Sequence, residues 1–245
     1  MLMSCPNLVK SYRVHVADLP CQGGSRSDPA PLNPNTHDHG RWCADVIHGL
    51  KLQDTPLLHV GVSLGGGILI DLARVEPKLI HAAVFVVPAC IHPHCDTPVG
   101  AMYALATFLW PMMAYRSFPC WWTRQLLFSK LFLDPDQDRE SDFVKQMELA
   151  FMHLAWYPPR PHKLYKEDLI ISEYSAPTLV ITARNDVFGD GVTTAQRALE
   201  EFDNCQVLVV DDAHILNKSN SLIAHKKIVE FFAQHGFQPA KKPLY

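Results

Sequence analysis

The chain is short of everything that would tie it to nucleic acid, to an oxidising compartment or to a membrane. Its 245 residues hold 22 Lys and Arg against 25 Asp and Glu, a net charge of −3. With no basic run either, the electrostatic footprint of a nucleic-acid binder is missing. Seven cysteines, at 5, 21, 43, 90, 95, 120 and 205, form no C-x-x-C pair. An odd, scattered set fits reduced thiols and predicts a cytoplasmic protein. Pro6 and Asn7 stand where a signal peptide needs an apolar core, which argues against secretion. The apolar stretch Ala101–Tyr115 contains Pro111 and is shorter than the roughly 20 residues of a membrane span, leaving an interfacial role open to it. No internal repeat or low-complexity segment is visible.

What is present is a large apolar content, 48% of residues, in strand-like and helix-like runs that alternate. Such alternation predicts a mainly parallel sheet with helices on both faces. Strand candidates are the run from Leu57 to Val62, Leu79–Val87, the run after Pro177, and Cys205–Val210. Helices are predicted at Ile68–Arg74, Thr193–Phe202 and Ser221–His235. From about 96 to 170 the rhythm breaks into helices (Gly100–Met113, Cys120–Phe132, Asp138–Leu154) punctuated by Pro158, Pro159 and Pro161.

The most informative segment is Gly61-Val62-Ser63-Leu64-Gly65, a G-x-S-x-G between a strand and a helix. On a tight strand-to-helix turn a serine hydroxyl stands clear of the sheet, and the backbone N–H of Leu64 points where an oxyanion would form. A serine nucleophile needs a base, and the base an orienting carboxylate. Asp186 follows the strand that opens at Pro177, and His214 lies four residues past Val210. Ser63, Asp186 and His214 thus fall just beyond three strand ends, where ligands meet parallel sheets. Asp190 is the rival carboxylate; Asp211 and Asp212 sit too close to His214 in sequence. His37-Asp38-His39 and His92-Pro93-His94-Cys95-Asp96 lack the usual structural-zinc spacings, so no metal and no cofactor is expected. His92 or His94 is placed at the site entrance. His15, His48, His59 and His81 sit within apolar elements as structural residues.

These motifs resemble the α/β-hydrolase superfamily, and bacterial carboxylesterase-like members in particular. The resemblance covers about residues 11 to 236. Tyr12–Pro20 is similar to the superfamily's fourth strand, and Cys21–Ser27 stands where many members have G-x-G-x-S. The resemblance implies an α/β-hydrolase core at 1–95 and 171–245 and a helical cap at 96–170. The cap's Met102, Tyr103, Phe108, Trp110, Met112, Met113, Tyr115, Phe118, Trp121 and Trp122 would either line an acyl pocket or pack against the core. It implies a serine hydrolase acting on small to medium apolar carboxylic esters through Ser63, His214 and Asp186, with Leu64 as one oxyanion donor. Two departures stand against this. The family's His-Gly oxyanion loop has no counterpart, since Met1–Lys10 cannot hold two strands, a crossover helix and a loop. Cys21 also replaces a glycine. The expected fold is therefore N-terminally shortened, and the alternative function is a catalytically impaired hydrolase-fold protein that binds a ligand. A small-molecule ester is the expected partner. A strand edge left open at the gap makes a homodimer a further possibility.

Overall fold

The structure is a computed structural model; it describes residues 8–9, 12–19, 32–92, 102, 105–133, 142–153 and 173–238. Within these lies a four-stranded, all-parallel sheet in the order β1-β2-β3-β4. The strands are β1 (Leu58–Val62), β2 (Ala82–Val86), β3 (Thr178–Ala183) and β4 (Cys205–Val210). Each pairs in register with the next: Val60 opposite Val84, Val84 opposite Leu179, Leu179 opposite Gln206. Strands β2 and β3 are buried at every position. A central strand of a parallel sheet is covered on both faces, so it has no polar alternation to show.

Helices supply the cover. They are α1 (Asp38–Gly49), α2 (Leu64–Val75), α3 (Trp110–Ser117), α4 (Trp121–Leu131), α5 (Asp142–His153), α6 (Gly191–Glu201) and α7 (Lys218–Gln234). On one face Phe85 and Val180 pack against Ile47 of α1, Leu69 and Leu72 of α2 and Ala198 of α6. On the other, Val84, Val86, Leu179 and Ile181 meet Ala224, Ile228 and Phe231 of α7. The change of face from Val84 to Phe85 is the period of two that a strand imposes. A third cluster, including Met112, Phe128 and Val144, binds α3, α4 and α5 to one another and to Val187 and Ile215 of the loops that follow β3 and β4.

Helices α1 and α2 cross closely. A Cβ on Gly40 would sit 2.4 Å from the Asp71 carbonyl oxygen. Asp71, 1% exposed, accepts the Gly40 N–H at 2.8 Å and faces His37 Nδ1 at 2.6 Å. A buried carboxylate so partnered fixes the start of α1, whose own first residues supply no cap.

Several expected elements differ in detail. Tyr12–Leu19 is not a strand: the segment pairs with no neighbour among the described residues, and Val14 and Val16 are exposed. Its first residue is anchored: Tyr12 donates its hydroxyl to the Phe237 carbonyl and packs on Phe232. Among the described residues strand β1 consequently has a ladder on one side only. Ser63 N–H donates to Val86 and the Leu57 carbonyl accepts from His81, so odd-numbered residues of β1 face β2. Leu58, Val60 and Val62 point their backbone groups away. Within the helix expected at Gly100–Met113, Leu105–Leu109 form a π-helical turn that runs into α3. His15 and His48 are exposed rather than structural, and His48 faces Glu76. The segments at 20–31 and 93–101, with Cys21 and His94, fall outside the described residues.

Candidate active site

Ser63 occupies the turn between β1 and α2 with φ 51° and ψ −115°, a conformation that a non-glycine residue holds only under constraint. The constraint is visible on every side. Its N–H donates to Val86, and its carbonyl accepts from Gly66 and from Ala89. A Cβ on Gly61 would lie 2.6 Å from the Gly65 carbonyl, and one on Gly66 would lie 2.8 Å from Pro88. Gly61 is therefore required by close backbone approach, and Gly66 by the approach of the Pro88 ring. Gly65, though part of the motif, faces open space. Leu64 begins α2, where a backbone N–H has no partner inside the helix.

The structure brings Ser63, His214 and Asp186 together. His214 Nε2 is 2.9 Å from Ser63 Oγ, and His214 Nδ1 is 2.8 Å and 3.0 Å from the two Asp186 oxygens. A carboxylate only accepts, so Nδ1–H donates and Nε2 is left to accept from the serine hydroxyl. The His214 and Asp186 side chains are nearly enclosed, at 8% and 9% exposure.

Each is held by its loop. Asp186 Oδ1 accepts the Phe188 N–H, which shapes the turn after β3. The His214 loop is built around Asp212, fully buried, which accepts from the Asn217 N–H and from Asn220 Nδ2. The Ile215 N–H donates to the Leu131 carbonyl at the end of α4. Asp190, the rival carboxylate, accepts from Thr193 Oγ1 and N–H as the cap of α6; these bonds lower its pKa. Asp211 accepts from Asn185 at the surface. The His92 ring lies against Gly189, on the loop that carries Asp186.

Phe188 was missed in the sequence. Its ring meets the His214 imidazole edge-on, centroids 4.6 Å apart, and Phe108 of the π-helical turn meets Phe188 at 5.2 Å. The aromatic residues singled out at 102–122 divide differently from expectation. Met112 and Tyr115 are buried among α3–α5, whereas Met102, Trp110, Phe118, Trp121 and Trp122 face outward. Tyr103 lies outside the described residues.

Burial disfavours two of the other thiols as nucleophiles, pushing Cys43 up to about 11 and Cys205 up to about 12. Among the described residues no group of three His, Cys, Asp or Glu side chains could hold a metal.

A family model described as the alpha/beta hydrolase family matches residues 6–221. The chain belongs to this family. Solved structures agree with it as a fold. A naproxen esterase from Bacillus subtilis superposes with a TM-score of 0.64 at 19% identity, over 86% of this chain and 70% of the other. A carboxylesterase from Bacillus subtilis gives 0.63 at 16% identity, over 89% and 73%. An enol-lactonase from Burkholderia xenovorans gives 0.65 at 15%, over 88% and 79%. No curated protein sequence matches this alpha/beta hydrolase.

Proposed function

We propose that the protein is a serine hydrolase that cleaves carboxylic esters of small to medium apolar alcohols and acids. The observation that carries this reading is the unbroken chain of hydrogen bonds from Ser63 through His214 to Asp186. Ser63 Oγ attacks the ester carbonyl as His214 Nε2 takes its proton. The charge that builds on the carbonyl oxygen is met by the Leu64 N–H at the start of α2. His214 then gives the proton to the departing alcohol, leaving an acyl group on Ser63. Water, deprotonated by His214, releases the acid. Asp186 holds the imidazole in the tautomer this sequence needs and stabilises the imidazolium. Residues 96–170, which include α3–α5, serve as a cap, and the Phe108–Phe188 contact is where that cap reaches the His214 ring.

The test is covalent labelling by a fluorophosphonate, read as intact mass, with Ser63→Ala alongside. Labelling of the parent alone, followed by turnover of short-chain nitrophenyl esters, is the expected result. A folded, monodisperse parent that takes no label returns the protein to its second reading, a ligand-binding member of a hydrolase family.

A further inference from the structure

Ser63 and its two partners are held by different parts of the molecule. The Ser63 backbone bonds to Val86, Gly66 and Ala89. The strand before it packs through Val60 and Val62 into the cluster that includes Ile228 and Phe231 of α7. None of these groups comes from α3, α4 or α5.

The loops of Asp186 and His214 are seated on the other side. Val187 and Phe188 follow Asp186, and Ile215 follows His214. All three join the apolar cluster built on Met112 of α3, Phe128 and Leu131 of α4 and Val144 of α5. The Ile215 N–H donates to the carbonyl of Leu131, the last residue of α4, at 2.8 Å. Asp212 ties the same loop to the start of α7 through Asn217 and Asn220. Two loops far apart in sequence thus share one apolar seat outside the sheet. Close-packed contacts of this kind transmit small displacements rather than absorbing them.

The 2.9 Å contact from His214 Nε2 to Ser63 Oγ is where the two supports meet. A base must stand within hydrogen-bond reach of the proton it takes, so the seat on α3–α5 bears on the distance the proton crosses. One side chain carries that seat to the imidazole. Phe108, within the π-helical turn, meets the Phe188 ring edge-on, with centroids 5.2 Å apart and planes at 71°. Phe188 meets His214 in the same manner at 4.6 Å and 76°. Edge-on ring pairs are directional as well as apolar. A ring fixed at 108 restrains the tilt of the ring at 188, and that ring restrains the imidazole.

We infer that Phe108 is a positioning residue of the catalytic base. Acting through Phe188, it holds His214 at the tilt that keeps Nε2 on Ser63 Oγ. Helices α3–α5 are then part of the mounting of the base as well as a cover. The inference rests on the serine-hydrolase reading above.

Two readouts keep the inference and that reading apart. One is the rate at which diisopropyl fluorophosphate labels Ser63. The other is the downfield proton resonance of His214 Nδ1–H, assigned by its loss in His214→Gln, which needs no turnover. Phe108→Ala and Phe108→Tyr are made in the parent and in Phe188→Ala, and circular dichroism checks that each is folded. Phe108→Leu, which keeps apolar bulk without a ring, replaces the alanine variant if that one does not fold. Phe108→Ala should slow labelling about tenfold. It should lower kcat on nitrophenyl acetate and butyrate alike with KM little changed, and shift or broaden the Nδ1–H resonance. Phe108→Tyr should recover most of the loss. In the Phe188→Ala background Phe108→Ala should cost less than about twofold, because a residue that acts through another has nothing left to act on. Labelling of Phe108→Ala at the parent's rate, or an unmoved resonance, overturns the inference. So does a change confined to KM and chain-length preference, which would make Phe108 a wall of the substrate pocket. Equal losses in both backgrounds would make it a packing residue and overturn the inference too. A folded parent that takes no label overturns the hydrolase reading; the resonance then decides the brace alone, upheld if Phe108→Ala moves it and overturned if not.

Discussion

The ring of Phe188 stands edge-on to the imidazole of His214, 4.6 Å between centroids and 76° between planes, while the Phe188 N–H donates to Asp186. One residue therefore positions both partners of Ser63, the histidine through its side chain and the aspartate through its backbone. Removing the ring leaves the backbone bond in place but frees the imidazole to tilt. Phe188→Ala is expected to lower kcat about tenfold, with KM little changed, because small misplacements of a base fall on the chemical step. Phe188→Tyr, which keeps the ring, should recover most of the loss. Steady-state kinetics on a nitrophenyl ester separates the two parameters; a change confined to KM would mean that Phe188 contacts substrate instead.

Asp186 and Asp190 are four positions apart and do different work. Asp186→Asn preserves shape but lets the imidazole take the wrong tautomer, and should cost on the order of 10⁴-fold in kcat with little effect on stability. Asp190→Ala removes the bonds from Thr193 that cap α6 and should cost about 1 kcal/mol of stability with turnover retained. Denaturant melts and single-turnover assays of the pair distinguish these outcomes.

Strain at Ser63 gives a third expectation. Its φ of 51° suits glycine, so Ser63→Gly should abolish acyl transfer and stabilise the fold by about 1 kcal/mol. Ser63→Ala, equally inactive, keeps the Cβ and the strain and should melt close to the parent. Equal melting temperatures for all three proteins would show that the turn carries no stored strain.

The glycines of the motif should differ in the same assay. Gly61→Ala drives a Cβ to 2.6 Å from backbone and is expected to cost about 1–3 kcal/mol or more. Gly65→Ala meets nothing within 4 Å and adds a better helix former to the first turn of α2, so it should be neutral or stabilising by about 0.5–1 kcal/mol.

Burial lowers the pKa of three histidines, His39, His59 and His225. A histidine held neutral in the folded state binds its proton more readily once unfolded. Stability from these groups is therefore complete above the ordinary histidine pKa, about 6.5. It is lost as pH falls from there toward the lowered folded-state values. Among the described residues neither ring nitrogen of His225 has a hydrogen-bond partner, so His225→Phe should flatten the decline between pH 7.5 and pH 5.5. Thermal melts across that range provide the check; a slope unchanged by the substitution would assign the acid sensitivity to other groups.

The site was legible in the sequence to the extent that it rests on local grammar. Ser63, Asp186 and His214 each follow a strand that announces itself by apolar, β-branched composition, and a parallel sheet brings the carboxyl ends of its strands to one edge. Phe188 carried no such signal, because its partner His214 sits on the loop of another strand. Tyr12–Leu19 has the alternation of a strand, but alternation says nothing about whether a neighbour exists to complete the ladder. Trp121 and Trp122 stand in a helix whose apolar and polar residues are interleaved around its axis, so its pattern does not mark an inner face from an outer one. The π-helical turn before α3 has no pattern distinct from an α-helix.

Because β1 is bonded to β2 alone among the described residues, the strand that presents Ser63 has half the ladder of β2 or β3. Local opening follows the weakest set of bonds rather than the average of the fold. The amides of Leu58, Val60 and Val62 should exchange with deuterium well before those of β2 and β3. On heating, the serine platform should then come loose while most of the sheet is intact, so inactivation would precede the melting of secondary structure.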